Sequence, residues 1–192
     1  MKEITAFIHV TLDGFFAGPN GEIDWFKEIK KDTEWEEHTR KQSQQGSTLL
    51  MGHTTYEIMK SFWPTPAAAA SDPHMAKVMR ESPKVVVSST LPSAAEEPNW
   101  KNVKILRDLN RQEIGKLKET SRSVTILGSG SIVKQLTNLK LIDEYEIVLV
   151  PIILAAGKYL LKDVKTMGMK LLEARAFRNG LVFLRYRPVS SG

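Results

Sequence analysis

"VTILGSGSIVKQL", residues 124–136, is the stretch on which the reading of the fold turns. Val124 to Leu127 are apolar or β-branched, the composition of a short strand. Ile132, Val133 and Leu136 then recur at helical spacing, so an amphipathic helix follows. Gly128, Ser129, Gly130 and Ser131 join the two. The first turn of a helix has unpaired N–H groups and a partial positive charge, and it attracts phosphate. Glycine lets an anion approach the backbone closely. Ser and Thr are also preferred N-caps, and a capped turn alone explains a single junction of this kind.

A second junction changes the balance. "STLLM" runs into Gly52-His53-Thr54-Thr55, again a strand, a glycine and hydroxyls at a helix start. "KVVV" ends in Ser88-Ser89-Thr90. Ligands on open α/β sheets sit at the carboxyl ends of strands, and two anion sites on one sheet suit the pyrophosphate of a dinucleotide. Residues 128–133 read G-S-G-S-I-V, without the third glycine of G-x-G-x-x-G, and no P-loop motif is present. An ordinary Rossmann domain and a P-loop enzyme are disfavoured.

Working outward, strands and helices alternate. "EITAFIHVTL" (3–12) is a strand with Ile4, Ala6, Ile8, Val10 and Leu12 on one side. "DGFFAGPNGEIDW" (13–25) holds three glycines and a proline and reads as a long loop, a place where function concentrates. Residues 30–45 fit a helix anchored by Trp35, 47–52 a strand, 53–63 a helix, and the proline- and alanine-rich 63–73 a surface loop. A short helix from His74, a strand over 84–90, a polar loop over 91–102, a strand at "VKIL" and a helix at "RQEIGKLKET" follow. After the opening motif come a strand at "DEYEIVLVPII" and two strands about Asn179-Gly180, a dipeptide suited to a type I′ hairpin turn. The pattern predicts one α/β domain spanning 1–192, with a mostly parallel sheet and an antiparallel C-terminal hairpin.

The 192 residues contain no cysteine, which excludes disulfides and cysteine-held metal sites and fits a reducing cytoplasm. The net charge of +5 permits anionic partners, but the basic residues are interleaved with acids, so no nucleic-acid partner is expected. The longest apolar run, "IVLVPIILAAG" (147–157), is too short to span a bilayer and is broken by Pro151, so no membrane partner is expected. His9, His38, His53 and His74 are scattered without ligand spacing, and no metal is expected. G-x-S-x-G is absent, so a hydrolase has no support. Among the acids, Asp13, Asp24, Asp32, Glu34, Glu36 and Glu37 lie where one could donate a proton to, or anchor, a heterocycle. Taken singly, Glu34, Glu36 and Glu37 read as a solvated helix face, and Asp13 and Asp24 as turn caps.

In this order, "VTLDGFFAGPNGEIDWF", "LLMGHTTYEIM", "KVVVSST", "VTILGSGSIVKQL", "LIDEYEIVLVPIILAAGKYLL" and the C-terminal hairpin resemble the dihydrofolate reductase-like superfamily. Within it they most resemble the reductase domain of bacterial riboflavin biosynthesis and its stand-alone relatives, over about Ile4 to Tyr186. The resemblance implies a three-layer fold on an eight-stranded, mostly parallel sheet. It implies a hydride passed from NADPH, with NADH not excluded, to a small pteridine- or pyrimidine-like heterocycle. It assigns Gly52, His53, Thr54 and Thr55 to a cofactor phosphate. Gly128, Ser129, Gly130 and Ser131, with Ile132 beside them, go to the pyrophosphate, and Ser88, Ser89 and Thr90 to the adenosine ribose phosphate. The loop 13–25 covers the nicotinamide, with Asp13, Gly14 and Ala17 near the reacting ring. The catalytic acid belongs on the helix after the loop, where Asp32 is the first choice and Glu36 the second. Family analogy also implies a homodimer.

This chain departs from the pattern in several places. His53 replaces an arginine, Ser89 stands where many folate reductases carry an arginine for the 2′-phosphate, and "LAAG" (154–157) replaces "LGAG". The D-N-P-x-L substrate segment and the zinc deaminase motifs are absent, which excludes a complete riboflavin enzyme. The alternatives are a nucleotide-binding module without catalysis and, behind it, a basic nucleic-acid binder.

Overall fold

The computed structural model describes residues 2–92 and 99–189. Its first half runs β1 (Ile4–Thr11), β2 (Phe15–Ala17), a 3-10 turn (Asp24–Glu28), α1 (Thr33–Ser43), β3 (Thr48–Gly52), α2 (His53–Phe62), α3 (Pro66–Ser71), α4 (Pro73–Glu81) and β4 (Lys84–Val87). The second half runs β5 (Val103–Leu106), α5 (Arg111–Thr120), β6 (Val124–Leu127), α6 (Gly130–Asn138), β7 (Glu144–Val150), β8 (Lys158–Tyr159), β9 (Met169–Ala176) and β10 (Val182–Pro188).

Eight strands form one sheet in the order β5-β4-β3-β6-β1-β7-β10-β9. The strands from β5 to β7 are all parallel, whereas β10 opposes β7 and β9 opposes β10. The mostly parallel sheet with an antiparallel C-terminal hairpin is therefore the architecture observed. The alternation in β1 explains its central place. Ile4, Ala6, Ile8 and Val10 are buried with Ile114 of α5 and Ile132, Val133 and Leu136 of α6. Phe7 points the other way and packs with Trp35 of α1 and Phe183 of β10. A third cluster joins Tyr56 of α2 and Met79 of α4 to Met51 and Val86. Helices thus cover both faces, giving three layers. A fully buried side chain such as Ile126 contributes roughly 1.5–3 kcal/mol through burial.

Several local expectations are corrected. Residues 66–71 are helical rather than looped, because Pro66 sits at the first helical position, alanines follow, and the Thr65 side chain caps the Ala68 N–H. The strand read over 84–90 stops at Val87, where Ser88 turns the chain by accepting from the Thr90 and Leu91 N–H groups. Within the 13–25 loop, β2 pairs with β8 in a separate small sheet. The hairpin turn is not type I′. Gly180 has φ +87° and Asn179 is not at positive φ. The bonds Gly180 N–H to Phe177 O and Phe177 N–H to Leu181 O make it a three-residue loop closed by a glycine bulge. Of the polar loop expected at 91–102, residues 93–98 lie outside the described residues.

The strand order positions the site. β6 comes late in the sequence but inserts between β3 and β1, with Leu50 opposite Ile126. That register carries Gly52 and Gly128 to the same edge of the sheet, where the chain changes direction across the sheet and ligands collect.

Candidate active site

A cavity of about 560 Å³ opens at this edge. Its floor is Phe7, Ile8 and His9 of β1 with Leu127 of β6. One end is formed by Gly52 to Thr55 and Gly128 to Ser131. The two junctions found in the sequence face one another there. The Gly52 N–H donates to Ser129 Oγ at 2.9 Å, and Thr55 Oγ1 donates to the Gly128 carbonyl at 3.4 Å. Gly128 has φ +56°, a conformation that favours glycine.

Helix capping separates these two helices from the rest. Asp32 caps α1, Thr65 caps α3, Asp72 caps α4 and Asn110 caps α5, each by accepting a backbone N–H of the first turn. α2 and α6 have no side-chain cap bond. His53 to Thr55 and Gly130 to Ser131, the residues of their first turns, line the cavity end, and no side chain of their own cap is bound to their N–H groups. A helix start left open in this way can hold an anion. Gly52 supports the fit, since a β-carbon there would stand 3.0 Å from Ser129 Oγ and narrow the cradle.

The 13–25 segment forms a lip over that end. Phe16, Ala17, Gly21 and Ile23 line the cavity. The Phe16 ring lies across Gly130, so close that an added β-carbon would be 2.3 Å from it. Gly157 of the "LAAG" segment lets β2 and β8 come together, because a β-carbon there would meet the Ala17 carbonyl at 2.4 Å. Phe15 stacks on Tyr159 at 4.3 Å, and Lys158 reaches the cavity beside Gly21.

The opposite end is apolar. Trp35 of α1, Met59 of α2, Trp63 and Met75 of α4 contribute most of it. His9 projects from β1 into an aromatic surround, with ring centroids at 4.9 Å from Phe26, 5.4 Å from Phe7 and 5.9 Å from Trp35. Burial lowers its pKa to about 4, so the imidazole is neutral at pH 7.

The remaining residues singled out in the sequence are placed as follows. Asp13 does not line the cavity; its carboxylate accepts from Thr11 Oγ1 at 2.6 Å, Leu154 N at 3.0 Å and Ala155 N at 2.7 Å. The Thr11 bond, with the two amides, holds its pKa below the ordinary value. Asp32 is buried away from the cavity, accepting from Glu34 N and Trp35 N at Oδ1 and from Asn179 N at Oδ2. Burial raises its pKa, but the amides of Trp35, Asn179 and Glu34 outweigh this and lower it. Its geometry is that of a cap that also pins the hairpin tip. Glu36, on α1, does not reach the cavity either. Gly14 supports the turn at φ +87° and lies outside the lining. The Ile132 side chain is in the core, leaving its backbone N–H as the group at the helix start. Ser88, Ser89 and Thr90 stand just beyond the cavity; Thr90 Oγ1 is 3.5 Å from His53 Nδ1, which lines it. His9, Phe16, Trp35, Trp63 and Lys158 are cavity residues that the sequence reading did not assign to a site. Trp35 and Trp63 signalled only through apolar spacing, Phe16 through its place in the glycine-rich loop and His9 as a polar position in an alternating strand, while Lys158 carried no local signal.

Among the described residues, no three His, Cys, Asp or Glu side chains are grouped to hold a metal ion, and no helix is long and apolar enough to cross a membrane. A family model described as the RibD C-terminal domain matches residues 2–183. The uncharacterized protein YyaP of Bacillus subtilis (strain 168) is 27% identical over 186 residues, covering 96% of this chain and 94% of YyaP. A solved structure from Shewanella sp. PV-4, provisionally named for riboflavin biosynthesis, matches with a TM-score of 0.76 at 20% identity, covering 98% of this chain and 99% of that one. The diaminohydroxyphosphoribosylaminopyrimidine deaminase/5-amino-6-(5-phosphoribosylamino)uracil reductase of Thermotoga maritima matches with a TM-score of 0.66 at 15% identity, covering 98% of this chain and 57% of that one. At these identities the solved structures speak for the fold.

Proposed function

The chain belongs to the RibD C-terminal domain family, and from that premise we propose that it is an NADPH-dependent reductase of a small pteridine- or pyrimidine-like heterocycle. The observation that carries this reading is the pair of facing helix starts, α2 and α6, that lack the side-chain caps present on the other four α-helices. Their N–H groups, with the Ser129 hydroxyl, suit the two phosphates of a dinucleotide. The reductase named among the similar structures supplies the reaction class. When bound, the dihydronicotinamide supplies a hydride, which reduces a C=N or C=O carbon of the substrate.

The chain's own residues hold, orient and enclose. The first turns of α2 and α6 anchor the phosphates. Ala17 and the β2–β8 lip cover the cavity end where the nicotinamide would lie. The Phe16 ring moves off Gly130 to admit the pyrophosphate. Asp13 and Asp32 are tied to backbone amides, and Asp72, which lines the cavity, caps α4. The proton that completes the reduction is therefore assigned to water. A homodimer formed through β9 and a cytoplasmic location belong to the same proposal.

Thermal denaturation with NADPH, NADH and NADP⁺ tests it. A ligand at a hundred times its Kd stabilises by about 2.7 kcal/mol, which raises Tm by several degrees. Stabilisation by the phosphorylated cofactors above NADH is the expected result. No shift at millimolar cofactor overturns the reading.

A further inference from the structure

We infer that the apolar end of the cavity takes an uncharged, planar heteroaromatic molecule without a phosphate, and that His9 meets its hydrogen-bonding edge. The inference rests on the assignment of the two helix starts to the cofactor, which leaves the opposite end for the substrate.

The lining carries the argument. The ionisable residues that reach the cavity are His9, His53, Asp72 and Lys158. Lys158 stands beside Gly21 at the Phe16 end, and His53 belongs to the α2 start. Asp72 Oδ1 is bound to the Met75 N–H at 2.9 Å. The apolar end thus has no lysine or arginine among the described residues. A phosphate monoester carries close to two negative charges at pH 7. Desolvating it against Trp35, Met59 and Trp63 without a cation is strongly unfavourable. A flat neutral ring finds the opposite conditions. Indole faces and thioethers pack on aromatic surfaces, and Trp63 is held in place by its Nε1–H, which donates to Met59 Sδ at 3.1 Å.

The polar groups at this end are few, and most are engaged. The Thr39 hydroxyl donates to the Glu36 carbonyl of its own helix at 3.1 Å. The His9 ring nitrogens are bonded to no described residue, and Phe7, Phe26 and Trp35 pack around the ring. A neutral imidazole has one N–H donor and one acceptor nitrogen pointing in diverging directions, so it makes a single hydrogen bond to a donor or acceptor on the edge of a pterin or pyrimidine.

A matched pair of ligands tests this on the full chain: 6-hydroxymethylpterin and its phosphate monoester, titrated calorimetrically with and without NADPH. The uncharged pterin is expected to bind at least tenfold more tightly than the ester. H9L is expected to weaken pterin binding about tenfold with NADPH affinity unchanged, and H9Q to recover part of the loss. The ligand comparison on the unmutated chain holds even if H9L fails to fold. Equal or tighter binding of the ester, or no binding of either compound at millimolar concentration, overturns the ligand class. Unchanged pterin affinity in a folded H9L overturns the role of His9. Failure of NADPH to bind while the pterin still outcompetes its ester strikes the cofactor reading alone.

Discussion

Gly130 begins α6 with the Phe16 ring laid across it, and a methyl group built there would stand 2.3 Å from the ring. Overpacking of this kind costs about 1–3 kcal/mol unless the ring gives way. G130A is therefore expected to lower Tm by about 2–12 °C and to weaken NADPH binding at least tenfold, since the same methyl enters the phosphate cradle. The double variant F16A/G130A separates the two effects: it should regain the Tm loss and keep the binding defect. Restoration of full affinity would mean that the α6 start is only a turn. Residue by residue, glycines and hydroxyls were legible because their signal is local: a strand, a tight turn and a helix start are written within a few positions. The capping bonds of Asp32 were not legible, because the helix was begun at residue 30 and so put it inside the helix. Begun at Thr33, the helix makes it an N-cap. His9 was visible only as a polar position in an alternating strand. Which neighbours enclose it depends on Phe26 and Trp35, which reach it from the later 3-10 turn and α1.

Element by element, β7 carries an unusual acid. Burial, and then the charge of Glu144, push the Glu146 carboxyl up to about 7, against the pull of Arg185. The sign follows from linkage. The unfolded chain releases this proton near pH 4.5 and the folded chain near 7, so stability is lost as pH rises between these values and the penalty is complete above them. E146Q should leave Tm unchanged at pH 4.5 and raise it at pH 8 by about 2–4 °C. That corresponds to about 1 kcal/mol, a fraction of the roughly 3 kcal/mol that a displacement of this size implies at most. Destabilisation by E146Q at pH 8 would show that the ionised form is the one the fold holds, through Arg185 and Gln42. Element types were otherwise readable from periodicity. The failures have specific causes. Three prolines hid α3, although proline at a first helical position starts a helix as readily as it ends one. Asn179-Gly180 fits two turn types, and the Asp32 bond to the Asn179 N–H together with the Phe177–Leu181 pairing selects the bulged one.

Across the whole molecule, the alternation of strands and helices gave the class of sheet, but strand order is a tertiary property. Nothing local in "VTIL" says that it lies between β3 and β1, and that placement is what sets the two glycine junctions face to face. The same sheet ends in a feature that bears on assembly. β9 is an edge strand of eight residues, and Leu171 and Leu172 are 49% and 38% exposed on its two sides. An edge strand of this length with apolar side chains offers unpaired N–H and C=O groups to another strand. Lys170, Glu173 and Arg175 lie on the same strand, and Glu173 and Arg175 already pair within the chain, with Arg185 and Glu34. They restrict open-ended stacking without closing the edge. A two-fold contact satisfies both partners at once, because each copy presents the same strand to the other. Light scattering on the chain at tens of micromolar is accordingly expected to give twice the chain mass, with a Tm that rises with protein concentration. The variant L171K/L172K places four charges in the shared contact and should give a monomer whose Tm no longer depends on concentration. Both side chains are exposed in the single chain, so the substitutions leave its core intact and monomerisation can be read apart from unfolding. A monomeric parent chain, or a double variant that stays dimeric, would remove β9 as the contact, and the apolar edge would need another partner.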